Sequence, residues 1–113
     1  MKVLVTGGRD YNDMATVWRV LEGLDPDVVV CGGARGADTL AIRWAVRNCK
    51  EVQVYSAEWD RYGKSAGAIR NQRMVDLGAD LVVAFPGGCG TADCIKKALK
   101  AGLVVRQVDG EGS

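Results

Sequence analysis

The sequence LVVAFPGGCGTAD, at residues 81–93, decides the fold class of this chain. Its first part, Leu81 to Phe85, is an unbroken apolar run, which is typical of a strand covered on both faces of a sheet. Pro86 closes the strand because proline has no N–H group to donate to a neighbouring strand. The glycine-rich segment Gly87–Gly90 lets the backbone turn sharply. The stretch therefore predicts a buried strand, a tight turn and the start of a helix.

The residues after the turn predict a helix whose N-terminus faces the tip of the strand. Thr91 is a favourable N-cap residue and Asp93 falls in the first helical turn, so we expect the helix to extend from Ala92 to Ala101. The first N–H groups of a helix have no partner within it and lie at the positive end of its dipole. Such an end favours an anion, most often a phosphate.

Two further glycine turns follow strands in the same way. The strand Lys2–Thr6 runs into the turn Gly7–Asp10, and the strand Val28–Cys31 runs into the turn Gly32–Gly36. Strands alternate with helical patterns along the chain, which predicts a three-layer α/β fold with a parallel sheet of about five strands. In such a sheet all three turns lie at the carboxyl edge, where ligands bind. The alternative is that the turns only connect strands to helices.

The other elements follow from the same patterns. A helix beginning at Asn12 or Asp13 carries apolar residues at helical spacing. The segment between the second and third turns predicts a strand at Val52–Tyr55, a polar loop at Ser56–Ser65 and a helix at Ala66–Leu77. The last strand is expected at Leu103–Val108.

Length and composition bound the class of protein. The chain has 113 residues, which suits one domain, expected at residues 1–109, with a polar tail at 110–113 that frays. The net charge of +1 gives no electrostatic reason to expect nucleic acid or a membrane as partner. The N-terminus enters a strand without the layout of a signal peptide, so we expect a cytoplasmic protein.

The cysteine and histidine counts argue against a metal site. The four cysteines show no CxxC spacing and the chain has no histidine, so we expect free thiols, no metal and no separate cofactor. Acid–base chemistry would have to use Asp, Glu, Tyr, Cys or water. The GxGxxG signature and the Lys-Ser/Thr of a Walker A loop are also missing, which argues against a dinucleotide dehydrogenase and a P-loop NTPase.

Charged residues beside the first two turns are candidates for ligand contacts. Arg9 and Arg35 stand near helix starts, where the dipole disfavours a cation, and this placement favours an anionic ligand over a solvated surface role. Asp10 and Asp38 lie close by and either accept hydrogen bonds from ribose hydroxyls or cap a helix. Capping is the favoured role for Asp38.

Further candidates lie in the polar loop and in the helix that follows it. The pair Arg70–Asn71 faces the same edge as the three turns if the helix begins near Gly67. Trp59 and Tyr62, in the loop, either stack on a base or sugar or pack the loop onto the protein. The residues alone do not decide between these two roles.

Five motifs, in order along the chain, resemble the YspA/YpsA-related branch of the SLOG superfamily: TGGRDY (6–11), GGARGAD (32–38), WDRYG (59–63), IRNQRM (69–74) and AFPGGCGTAD (84–93). The resemblance implies a Rossmann-like fold with the ligand over the glycine turns. Relatives include the LOG-type phosphoribohydrolases, the DNA-uptake protein DprA and sensor domains for nucleotide-derived signals. With the candidates above, the expected ligand-binding set is Gly7, Gly8, Arg9, Asp10, Gly32, Gly33, Arg35, Gly36, Asp38, Trp59, Arg70, Asn71, Pro86, Gly87, Gly88, Gly90 and Thr91.

One departure from the phosphoribohydrolases bears on activity. Those enzymes continue Pro-Gly-Gly-x-Gly-Thr with x-x-Glu, and here that last position is Cys94. We therefore expect a domain that binds a nucleotide or an ADP-ribose-like molecule without turning it over. One alternative is an N-glycosidase in which Arg70 positions the phosphate and Asp93 or Asp10 supplies the carboxylate. Another is DprA-like nucleic-acid handling, which the net charge disfavours. By analogy with relatives we expect a homodimer or larger homo-oligomer.

Overall fold

A computed structural model describes residues 1–108 of the chain. Five strands form one parallel sheet: β1 (Lys2–Thr6), β2 (Val28–Cys31), β3 (Glu51–Val54), β4 (Leu81–Ala84) and β5 (Val105–Gln107). Five helices accompany them: α1 (Met14–Leu24), α2 (Ala37–Arg47), the short α3 (Trp59–Tyr62), α4 (Ala66–Leu77) and α5 (Cys89–Lys100). The predicted tail at 110–113 and the last residue of the predicted domain, 109, lie outside the described residues.

The strand order is β3-β2-β1-β4-β5, so the first strand is at the centre and the chain crosses to the other half of the sheet after β3. Alternate residues of β1 point to opposite faces. Val3 and Val5 pack in the cluster formed with α1 and α2, and Leu4 packs in the cluster formed with α4 and α5. The predicted three-layer, Rossmann-like α/β fold is confirmed.

Local signals explain where the first helix begins. Asp13 is the N-cap of α1: its Oδ1 accepts a hydrogen bond from the backbone N of Thr16 at 3.1 Å, and its Oδ2 accepts from the Thr16 hydroxyl at 2.6 Å. On the buried face of this helix, Val17, Val20 and Leu21 pack on the sheet. The expected start of this helix is confirmed.

Several predicted elements were placed wrongly, among them β3, which begins and ends one residue earlier than predicted. The N-cap of α5 is Gly88 rather than Thr91, because the backbone turns into the helix directly at the glycine pair and leaves Thr91 buried inside the first turn. The predicted loop at 56–65 contains α3 and a 3-10 turn, Gly63–Ser65. Strand β5 is shorter than predicted because only residues 105–107 pair along β4 in a regular ladder.

Within the described range, 1–108, every helix is too short or too polar to cross a lipid bilayer.

Candidate functional site

The three glycine turns pack on one another at the carboxyl edge of the sheet. The turn after β1 is in the middle: the backbone N of Gly8 donates to the carbonyl O of Pro86 at 2.9 Å. The carbonyl O of Gly8 accepts from the backbone N of Ala37 at 3.3 Å and from that of Tyr11 at 3.2 Å. The central turn is thus hydrogen-bonded to both flanking turns, and together they form one continuous backbone surface.

Several of these glycines are required by the packing of the turns themselves. Gly36 has φ of +82°, and a Cβ there would overlap the carbonyl O of Gly8. A Cβ on Gly7 would overlap the side chain of Ala37, and one on Gly87 would overlap the hydroxyl of Thr91. Packing between the turns therefore explains why these positions are glycine, without any contact to a ligand.

Gly88 and Gly90 differ from the other glycines of the turns. A Cβ at either position would meet no atom within 4 Å. Both residues border a cavity of about 540 Å³. The fold therefore tolerates side chains here, and the open backbone faces empty space at the N-terminus of α5.

This N-terminus has free donors. No side chain caps α5, and its first intrahelical hydrogen bond runs from the backbone N of Ala92 to the carbonyl O of Gly88 at 3.0 Å. Among the described residues, the backbone N–H groups of Cys89, Gly90 and Thr91 have no acceptor. They lie at the positive end of the helix dipole, an arrangement that binds anions.

Residues from both halves of the chain surround the large cavity. It is lined by Val5, Thr6, Gly7, Gly8, Arg9, Ala34, Asp38, Trp59, Lys64, Gly67, Ala68, Arg70, Asn71, Met74, Gly88, Cys89, Gly90, Thr91 and Asp93. A second recess of about 190 Å³ adjoins it and is lined by Arg9, Gly32, Gly33, Ala34, Arg35, Ser56, Ala57, Trp59 and Arg70.

Four predicted residues line neither of these two spaces. Pro86 and Gly87 border a separate hollow of about 400 Å³, on the side of the turn that faces Ile95 and Val108. Asp10 and Gly36 border neither the cavity nor the recess. The structure brings the other predicted residues together around the two adjoining spaces.

Arg70 is held beside the cavity by neutral acceptors. Its Nη1 donates to the carbonyl O of Gly32 at 3.0 Å, and its Nε donates to Oδ1 of Asn71 at 3.0 Å. Among residues 1–108, no carboxylate forms an ion pair with this guanidinium. Its positive charge faces the cavity, where it also interacts electrostatically with the carboxyl of Asp38.

Asn71 joins this arginine to α5. Its Nδ2 donates to the carbonyl O of Gly90 at 3.1 Å and to Oδ2 of Asp93 at 3.1 Å. Lys97 donates to the same Asp93 oxygen at 2.6 Å. Burial works to raise the pKa of Asp93, but the hydrogen bonds from Lys97 and Asn71 outweigh it, so this pKa lies below the ordinary value. Asp93 is an ionised carboxylate on the cavity wall.

Asp38 does not cap its helix, which corrects the favoured prediction. Its side chain reaches back from the first turn of α2, where Oδ2 accepts from the backbone N of Gly32 at 3.1 Å and of Ala34 at 3.2 Å. It thereby closes the turn after β2. The side chain is almost fully buried, and Oδ1 has no hydrogen-bond partner among the described residues. Burial raises the pKa of Asp38 to about 6.

Trp59 and Arg9 separate the large cavity from the smaller recess. The Cζ of Arg9 lies 5.8 Å from the centroid of the Trp59 ring, a cation–π distance. Trp59 is 49% exposed and borders both spaces. Tyr62 borders neither the cavity nor the recess, so of the two aromatic candidates only Trp59 presents its ring to the site.

The sequence interpretation missed some of the lining residues. Among them is Lys64, which adds a cation to the cavity. Cys89, in the third glycine turn, contributes an exposed thiol to the same wall. Lys64 was missed because the segment preceding α4 was interpreted as an irregular loop. Cys94, the position that carries glutamate in the phosphoribohydrolases, is fully buried in the core, and burial raises its thiol pKa. No group of three or more metal-binding side chains occurs within the described part of the chain.

Comparisons with known proteins agree with this architecture. A family model described as YAcAr, the YspA, cpYpsA-related SLOG family, matches residues 1–62. The Gene 61 protein of Mycobacterium phage D29 is 44% identical over 119 aligned residues, which cover 92% of this chain and 93% of the phage protein. The name of that relative states no activity.

Proposed function

The chain belongs to the YspA, cpYpsA-related SLOG family, and from this premise we propose that it binds a nucleotide or a nucleotide-derived, ADP-ribose-like molecule in the large cavity. The observation that carries the proposal is the open N-terminus of α5. Three N–H groups there have no acceptor within residues 1–108, and they adjoin two glycines that no packing contact in this range requires. Phosphate is the group that such donors accommodate best.

The surrounding side chains support a phosphorylated nucleoside over a bare anion. Arg70 supplies a second set of charge-assisted donors beside the helix N-terminus. Trp59 offers a half-exposed aromatic face on which a base would stack. The carboxylate of Asp93 would accept hydrogen bonds from sugar hydroxyls. A volume of about 540 Å³ lies in the range of small-molecule sites.

Isothermal titration against a panel of nucleoside mono- and diphosphates and ADP-ribose tests the proposal. Gly90→Ala and Gly90→Val would place a side chain in the open approach to the helix amides, so we expect both to weaken binding, the valine more. Gly23→Ala in α1 is the matched control, since a Cβ there also meets no atom within 4 Å and Gly23 borders neither space.

Both alanine variants remove a helical glycine, which stabilises a helix by roughly 0.5–1 kcal/mol. A loss of affinity in Gly90→Ala alone would therefore reflect the site rather than the fold. Absence of heat with every member of the panel would contradict the proposal, as would equal affinity in the wild type and both Gly90 variants.

A second candidate function is hydrolysis of an N-glycosidic bond. Two carboxylates border one cavity with pKa values displaced in opposite directions, Asp93 downward and Asp38 upward. Divergent pairs of this kind recur in enzymes that use one carboxyl as an acid and another as a base or stabiliser. Asp10 borders neither space, so Asp93 is the better candidate for the stabilising carboxylate.

Incubation with nucleoside monophosphates, followed by chromatography for free base, tests this activity. We expect any released base to disappear in Asp93→Asn, whereas Asp76→Asn, on the exposed part of α4, would leave it unchanged. Absence of free base with all common monophosphates would leave binding without turnover as the function.

Three further expectations about partners and location accompany the proposal. We propose that the protein is cytoplasmic and that it assembles as a homodimer or larger homo-oligomer, which light scattering on the purified protein would test. DprA-like nucleic-acid handling is not favoured, because a net charge of +1 gives the protein little overall attraction to a nucleic-acid backbone. A gel shift of DNA or RNA by the protein at low salt would favour nucleic-acid handling instead.

A further inference from the structure

The recess of about 190 Å³ holds more positive charge than one phosphate bound at α5 would neutralise. Three arginines border it: Arg9, Arg35 and Arg70. No acidic residue is among its lining residues in the described chain. Ser56, which precedes α3, adds a hydroxyl donor to the same wall.

Two of these arginines have no counter-charge within residues 1–108. Arg9 contacts the Trp59 ring, and neither Arg9 nor Arg35 forms an ion pair or a hydrogen bond with a carboxylate. Like charges that converge on a concave surface repel one another, so the arrangement favours an anion that neutralises them.

The recess is distinct from the phosphate position at α5, although the two spaces adjoin. Of these two spaces, Gly88 and Gly90 border the large cavity and not the recess, whereas Arg35 borders the recess and not the cavity. Arg9, Trp59 and Arg70 border both. One molecule lying across this shared boundary would contact the α5 amides at one end and Arg35 at the other.

We infer that the ligand carries a second, separate anionic group, a phosphate or a carboxylate, which Arg35 and Arg9 hold in the recess. This inference rests on the proposed function, and it narrows the ligand class from nucleotides in general to nucleotide derivatives with two separated anionic groups. Arg70 lies between the two groups and faces both. Trp59, which borders both spaces, offers its ring to the base of the same molecule.

Titration calorimetry with matched ligand pairs tests the inference. The pairs are adenosine 5′-monophosphate with its 2′,5′- and 3′,5′-bisphosphate counterparts, and ADP-ribose with ADP-ribose 1″-phosphate. We expect at least one doubly anionic member to bind about tenfold or more tightly than its parent, the gain of a charge-assisted contact. In Arg35→Gln we expect the derivative to lose more affinity than its parent does, so that this advantage disappears.

Arg43→Gln is the matched control, since it removes the same charge from an exposed position on α2 that borders neither space. If the parent ligands bind and the second anionic group adds no affinity, the inference is overturned and the proposed function is unaffected. A loss in Arg35→Gln that is equal for parent and derivative would also overturn it. Failure of every probe to bind would contradict both the inference and the proposed function.

Discussion

The buried carboxyl of Asp38 makes the stability of the fold depend on pH in a direction that can be calculated. Burial raises its pKa from the ordinary 3.8 to about 6, so the folded state binds a proton more tightly than the unfolded state. A group of this kind stabilises the fold most when it is protonated. Its contribution is complete below pH 3.8 and is lost as the pH rises through the folded-state pKa of about 6.

The expected magnitude follows from the two pKa values. The interval between 3.8 and about 6 corresponds to a loss of about 3 kcal/mol in the free energy of unfolding between low pH and pH 8. Linkage places roughly half of that loss between pH 5 and pH 8.

The variant Asp38→Asn isolates this contribution. An asparagine keeps an oxygen that accepts from the backbone N–H groups of Gly32 and Ala34, and it resembles the protonated carboxyl at the unpartnered Oδ1 position. Urea unfolding of both proteins at pH 5, 6, 7 and 8 gives the comparison. We expect the free energy of unfolding of the variant, relative to that of the wild type, to rise by about 1–2 kcal/mol from pH 5 to pH 8. Parallel stability curves for the two proteins would refute the burial argument.

Two further predictions concern the packing that builds the site. Gly36→Ala should destabilise the fold by roughly 1–3 kcal/mol more than Gly78→Ala, because both glycines have positive φ near +80° but only a Cβ at Gly36 overlaps the neighbouring turn. Equal losses in thermal unfolding would contradict the packing of that turn against Gly8. Asn71→Ala should lower the free energy of unfolding by about 2–3 kcal/mol, because it removes the buried hydrogen bonds that join Arg70 to α5. A loss as small as that of a surface substitution would show that these hydrogen bonds are unimportant for stability.

Much of the fold follows from local sequence patterns. The apolar run at 81–85, the β-branched strands and the glycine turns place the parallel sheet and its carboxyl edge, because each pattern concerns neighbours in the chain. The start of α5 was misplaced because Thr91 has the chemistry of an N-cap. Its burial against Gly87 depends on the path of the turn, which composition alone does not specify.

The roles of individual site residues depend on contacts between distant segments. The sequence places Gly36 and Gly90 in similar glycine-rich turns, yet Gly36 is required by the turn after β1 and Gly90 faces open space. Asp38 was expected at a helix cap, but its side chain closes the preceding turn. Such distinctions become visible only when the three turns are seen packed together.

We propose above that the free N–H groups at the start of α5 bind the phosphate of a nucleotide. Two-dimensional ¹⁵N–¹H NMR during titration with ADP-ribose tests it most directly. We expect the amide signals of Cys89, Gly90 and Thr91 to shift most, followed by those of the turn after β1. Shifts confined to Ile95, Gln107 and Val108, with the signals of Cys89 and Gly90 unmoved, would contradict phosphate binding at this helix end.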